Sequence, residues 1–219
     1  MRLFIVECPD PMDVLQGRSE AAALDGMCRL LGHEVAVFQV QSSSRLRETC
    51  KFIASIDEGH DAKKQRGVPL CVHIAAHGNS HGLGLGPASV MWEDLTDAIL
   101  PLAKVGRYSG PLILVVSACD AGQQSLTREL ADHHRKNAKL RPPAYVFVTC
   151  DARLAWTASV AAWTVFYHLM PKAKLDRPET VREVLTKVRA AGGTILRYHR
   201  WDNDKGAYLK YEPKAVVHV

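Results

Sequence analysis

The stretch "LILVVSACDAG" at 112–122 decides how this chain is read. Five apolar residues and a serine lead through Ala118 into Cys119, and the run then breaks at Asp120, Ala121 and Gly122. A short continuous apolar run bounded by turn residues is the pattern of a strand covered on both faces. "LCVHIAA" at 70–76 has the same character and runs into His77 and Gly78, the start of "HGNSHGLGLG". Three more such runs are "RLFIVEC" at 2–8, "EVAVFQV" at 34–40 and "AYVFVTC" at 144–150.

Helical periodicity fills the intervals. Leu24, Met27, Cys28 and Leu31 form one stripe within 18–31, and Leu46, Cys50 and Ile53 form another after the serines at 42–44, which offer helix caps. Leu95, Ile99 and Leu102 keep register from about Trp92, and a helix is expected from about Gln123. Two further helices are expected at 155–170 and 178–190, the second with Val181, Val184, Leu185 and Val188 on one face. The tail "TILRYHRWDNDKGAYLKY" reads as a strand pair around a polar Asp-Lys-Gly turn. Residues 58–69 form a polar loop, and 135–143 a basic, proline-ended one. Strands alternating with helices predict an α/β fold, a mostly parallel sheet between two helical layers. With no repeat and no break in composition, 1–219 is read as a single domain.

Bulk properties set bounds. A chain of 219 residues, 47% hydrophobic and 23% charged, can bury one sizeable core. The net charge of +5 is scattered rather than massed, so no direct contact with nucleic acid is expected. The six cysteines include no CxxC pair and mostly sit in apolar runs, which fits reduced thiols and a cytoplasmic protein. The opening "MRLFIVECPD" has too short an apolar run for a secretory signal. No stretch approaches the roughly 18 apolar residues of a membrane helix, so no membrane partner is expected.

In an open α/β sheet, ligands bind beyond the carboxyl ends of the strands. His77 and Cys119 each close a strand there. If the two strands are neighbours, their backbones lie about 4.8 Å apart, and an imidazole and a thiol can meet without long loops. That is a nucleophile and its general base. A helix starting near Gln123 would bring a positive dipole end towards Cys119. The backbone N–H groups of Gly78 and Cys119 could then form an oxyanion hole.

"HIAAHG" followed by "SACDAG", with 42 residues from histidine to cysteine, resembles the caspase-like cysteine peptidases. Within that superfamily the motifs look most similar to the bacterial CHAT-domain proteases, as do "FYHLM" and "TVREVLTKVRAA" further on. The likeness spans roughly residues 70–190. It implies a caspase-like three-layer αβα sandwich and a thiol protease acting on protein substrates. His77 would be the base and Cys119 the nucleophile, with no third member of the catalytic set and no cofactor. It further implies a regulated effector in antiviral defence or programmed death, and a separate regulatory or sensor partner. In arginine-cutting relatives an acidic group receives the substrate's basic side chain, a role that would fall here to Asp151 or Asp120. The loop at 135–143 falls where relatives carry a processed linker.

Other readings stand beside this one. Cys119 alone could be core filler, and the scaffold could be a non-catalytic interaction module. His73, His77 and His81, four apart, would share a helix face but lie on a strand and a loop, so His73 is read as a hydrogen-bonded core histidine. A zinc site from Cys8, Cys119, Cys150 and His77 would draw on strand ends but lacks paired ligands at short spacing, so no metal is expected. "GLGLG" lacks the lysine and the strand–helix context of a phosphate loop, which weakens a nucleotide-binding reading. Trp156 and Trp201 could wall a peptide groove or belong to the core.

Overall fold

The computed structural model describes residues 1–56, 67–104 and 108–213; most of the polar loop expected at 58–69 lies outside them. The five apolar runs all form strands: β1 (Arg2–Cys8), β2 (Glu34–Gln39), β3 (Leu70–Ala76), β7 (Leu112–Ser117) and β8 (Tyr145–Thr149). The tail forms the antiparallel pair β9 (Leu196–Asp202) and β10 (Ala207–Tyr211). Together they make a seven-stranded sheet in the order β10-β9-β8-β7-β3-β1-β2. Its first five strands in the chain run parallel, and β9 and β10 run antiparallel at one edge.

Alternation along each strand splits the core into two layers. Leu70, Val72 and Ile74 of β3 and Leu112, Leu114 and Val116 of β7 face one side. There they meet α3 (Ser43–Ala54), α4 (Trp92–Ile99) and α5 (Leu126–Lys136) through Leu46, Leu95 and Leu130. Cys71, Ile113 and Val115 face the other side. They meet α2 (Glu20–Leu30), α6 (Trp156–Leu169) and α7 (Pro178–Gly192) through Leu24, Trp163 and Leu185. The chain is therefore a three-layer α/β protein.

Three details depart from the sequence reading. The glycine-rich stretch after His77 is not a plain loop but a small antiparallel sheet of β4 (Gly78–Asn79), β5 (Gly82–Leu85) and β6 (Ala88–Met91). A short helix, α1 (Pro11–Leu15), follows β1; Asp10 caps it, accepting from the N–H groups of Met12 and Asp13 at 2.7 and 2.9 Å. The helix expected from Gln123 begins at Leu126, because Ala121–Gln123 first makes a single 3-10 turn. Its dipole end is thus seven residues beyond Cys119, too far along the chain to be counted on for the thiol.

Candidate active site

β3 and β7 are hydrogen-bonded parallel neighbours with Ala75 opposite Ser117, so His77 and Cys119 each lie two residues further along adjacent strands. By the same alternation, Ala75, His77, Ser117 and Cys119 belong to the face covered by α2 and α6. His77 and Cys119 line one open cleft at the carboxyl end of the sheet. Leu154 and Trp156 form its apolar flank, and Glu20 and Ser159 join Ala75 and Ser117 in its lining.

The cysteine is held by its neighbours. Ala118 is clamped at both backbone groups by the Thr149 hydroxyl, which accepts from its N–H at 3.0 Å and donates to its carbonyl. Asp120 then turns the chain with φ +54°, the left-handed region that aspartate enters more readily than most residues. The Asp120 N–H donates to the Asp151 carbonyl at 3.0 Å, tying this turn to the loop after β8. From that loop the Leu154 N–H donates to Cys119 Sγ at 3.3 Å. A half-exposed thiol on a turn fixed from both sides is an unusual place for core filler.

The imidazole is held by a carboxylate that sequence reasoning missed. Asp13 Oδ2 lies 2.6 Å from His77 Nε2, and Asp10 Oδ2 lies 3.6 Å away. Asp13 thus stands beside the imidazole as a carboxylate that the two-membered His77 and Cys119 reading did not include. Topology brings them together. β1 and β3 are adjacent, yet the chain leaves β1 for β2 on its far side, so this is where the strand order reverses. Asp13 follows β1 and His77 follows β3, one from each flank of that crevice. Arg18 pairs with the other Asp13 oxygen at 3.1 Å. With Nε2–H donated to Asp13, Nδ1 is the nitrogen left to accept a proton. Backbone hydrogen bonds from Asp13 and Met12 hold the Asp10 carboxyl below the usual aspartate range. The Trp156 ring stands edge-on to His77 at 5.9 Å.

Gly78 sits against the nucleophile's backbone. A Cβ there would lie 2.7 Å from Ala118 Cβ and 2.8 Å from the Cys119 carbonyl, so only glycine fits. Asp120 and Asp151 are not among the residues lining the cleft. Asp151 Oδ2 instead accepts from the Ile195 N–H at 3.0 Å. Trp156 does wall the cleft, whereas Trp201 packs on His134 and Tyr208 at the β9–β10 edge.

Among the described residues, the group with metal-ligand spacing is Asp10, Asp13 and His77; the set Cys8, Cys119, Cys150 and His77 is not brought together. His73 is a fully buried core histidine, with Nε2 2.7 Å from Glu20 and Nδ1 2.7 Å from the Tyr167 hydroxyl. Among the described residues, no helix is long and apolar enough to cross a membrane.

No family model matches the chain. Over 120 residues it is 26% identical to a probable ATP-dependent RNA helicase of Dictyostelium discoideum, a match covering 54% of this chain and only 15% of that protein. Among solved structures it is similar to caspase-1 from Spodoptera frugiperda, with a TM-score of 0.48, 16% identity and coverage of 84% of this chain and 76% of that one. A pro-sf-caspase-1 structure is similar at a TM-score of 0.38 and 16% identity, over 54% of this chain and 45% of that one.

Proposed function

We propose that this protein is a caspase-like cysteine peptidase that hydrolyses peptide bonds in protein substrates through Cys119 and His77. The observation that carries the reading is the cleft itself. A half-exposed thiol and an imidazole oriented by a buried carboxylate line one opening past neighbouring strand ends. In the proposed reaction the Cys119 proton passes to His77 Nδ1 as Sγ attacks the substrate carbonyl carbon. The carbonyl π electrons move to oxygen, towards the N–H groups of Gly78 and Cys119. Collapse breaks the C–N bond, and His77 returns the proton to the leaving amine. Water, deprotonated by His77, then cleaves the thioester and restores the thiol. Asp13 keeps the imidazole in the tautomer that leaves Nδ1 unprotonated. The role of an effector in bacterial defence, similar to the CHAT-domain proteases and released by a separate sensor partner, belongs to the same proposal and rests on the motif likeness.

The test is cleavage of denatured protein substrates by the purified full chain, alone and with extract of its source cells, read by mass spectrometry of new termini. Cys119→Ala and His77→Ala should each abolish the new termini while leaving the circular dichroism spectrum intact. Undiminished cleavage by either variant would defeat the proposal. A wild-type protein that cuts nothing in either condition, with a Cys119 no more reactive than the other thiols, would favour a non-catalytic interaction module.

A further inference from the structure

α1 carries more than the carboxylate that meets His77. Its outer side is apolar: Met12 is 51% exposed, Val14 60% and Leu15 76%. These are three of the eight large apolar side chains left exposed among the described residues, gathered on a helix of five residues. Holding Asp13 in place explains none of them, since polar residues at 12, 14 and 15 would form the same capped turn. Scattered apolar residues on a surface need no explanation, but a contiguous cluster marks a contact.

Helix geometry says which of them adjoin the site. Successive residues turn by about 100°. With Asp13 directed at His77, Met12 and Val14 flank it on either side and Leu15 faces away. Met12 is also bracketed in the chain by Asp10 and Asp13, whose carboxylates lie 3.6 and 2.6 Å from His77 Nε2. α1 follows β1, which flanks β3 on the side opposite β7. Along the strand tips the order is therefore Cys119, His77, α1.

The chemistry of the cut decides which part of a substrate lies over α1. The departing amine takes its proton from His77 Nδ1, so the residue that carries this amine sits over the imidazole. The acyl part stays bonded to Cys119, on the side where the Leu154 N–H reaches Sγ. The departing segment then continues past His77 and crosses the outer side of α1, where the exposed residues at 12, 14 and 15 offer apolar contact and no charge.

We infer that the protein prefers a large apolar residue immediately after the cut bond, received by Met12 and Val14. The unbranched, adaptable methionine suits leucine, methionine and phenylalanine alike. This rests on the proteolytic reading and adds to it a substrate preference on the departing side.

Two measurements test it. The first is a fluorogenic peptide panel varied only at the residue after the cut. Leucine, methionine and phenylalanine peptides should exceed glycine, serine and asparagine peptides by roughly tenfold in kcat/KM, as covering about half of such a side chain implies. The second starts from the acyl-enzyme made with a peptide p-nitrophenyl ester, which has no residue after the cut. An added amino-acid amide then competes with water: its nitrogen bonds to the carbonyl carbon, the C–S bond breaks, and its proton passes through His77 to the thiolate. Leucinamide should form about tenfold more amide product than glycinamide at equal concentration. A Met12→Ser, Val14→Ser double variant with the native circular dichroism spectrum should lose both margins, the glycine peptide and glycinamide serving as internal references. Equal use of apolar and polar residues by the native protein, or margins that survive in the double variant, overturn the inference and leave the peptidase standing. No cleavage of any peptide, with Cys119 no more reactive than the other thiols, overturns both. Should the double variant fail to fold, a native protein that takes leucinamide no better than glycinamide still overturns the inference.

Discussion

Asp13 and His77 stand 64 residues apart in the chain and 2.6 Å apart in space, with the Asp13 side chain wholly shielded from solvent and the imidazole about half exposed. The shielded partner fixes the mobile one. Asp13→Asn keeps the volume but can present an N–H to Nε2, favouring the tautomer that protonates Nδ1. We expect kcat to fall on the order of 10²-fold with KM nearly unchanged, and Cys119 alkylation to slow in parallel. Asp13→Glu should recover part of the loss. A variant that weakens KM alone would show that Asp13 serves packing or substrate contact instead.

Thiol chemistry should single out one of the six cysteines. Burial pushes the thiols of Cys28, Cys50 and Cys71 up to about 12 and that of Cys8 higher still. Burial also raises that of Cys150, against the pull of the Arg197 charge. These five are protonated at neutral pH, and the thiolate is the reactive form. Iodoacetamide at pH 7.5 should therefore label Cys119 at least about tenfold faster than any other, and His77→Ala should erase most of that margin. Peptide mapping after timed labelling reads it. Comparable rates across the set, or a Cys119 rate indifferent to His77, would remove the case for an activated nucleophile.

Gly78 offers a backbone test of the same tip. A methyl group there collides with Ala118 and the Cys119 carbonyl, neither of which is the loose end of a flexible side chain. Gly78→Ala should displace the turn by a fraction of an ångström, which costs on the order of 10²-fold in kcat/KM when reacting atoms are misaligned. The melting temperature should fall by only a few degrees. Full activity would mean that the tip is not a geometric constraint on catalysis.

How much of this the chain disclosed depended on the range of the interactions. β3, β7 and the faces of α3 and α7 were legible because apolar period and turn residues are local signals. The pairing of His77 with Cys119 followed from one further rule, that ligands gather past the carboxyl ends of strands. α1 was missed although Asp10, Pro11 and Asp13 carry its capping pattern, because five residues give no periodicity. Asp13 and Glu20 were missed for a different reason. Their partners His77 and His73 lie 64 and 53 residues away, and only the order β1-β3-β7 brings them together. An acidic residue near a strand end is otherwise indistinguishable from a solvated cap, which is why Asp151, and after it Asp120, looked eligible. In space Asp120 contributes a backbone turn and Asp151 caps the Ile195 N–H.

Acid should loosen the β8–β9 side of the sheet before it reaches the carboxylates. Burial, helped by the charges of Arg197 and Lys210, lowers the His199 imidazole to about 4, and the Gln124 amide nitrogen sits 3.5 Å from its Nε2. The unfolded chain holds this proton at an ordinary histidine value near 6.5. Between those two values the unfolded state binds more protons, so stability rises with pH and is lost on acidification through this window. One proton contributes a slope of up to about 1.4 kcal/mol per pH unit, and His199 alone accounts for roughly 2–3 kcal/mol between pH 7 and pH 4. Urea midpoints measured across that range should show the decline, and His199→Gln should flatten it. A wild-type midpoint that holds level from pH 7 to pH 4.5 would mean that His199 is hydrated and charged in the folded protein.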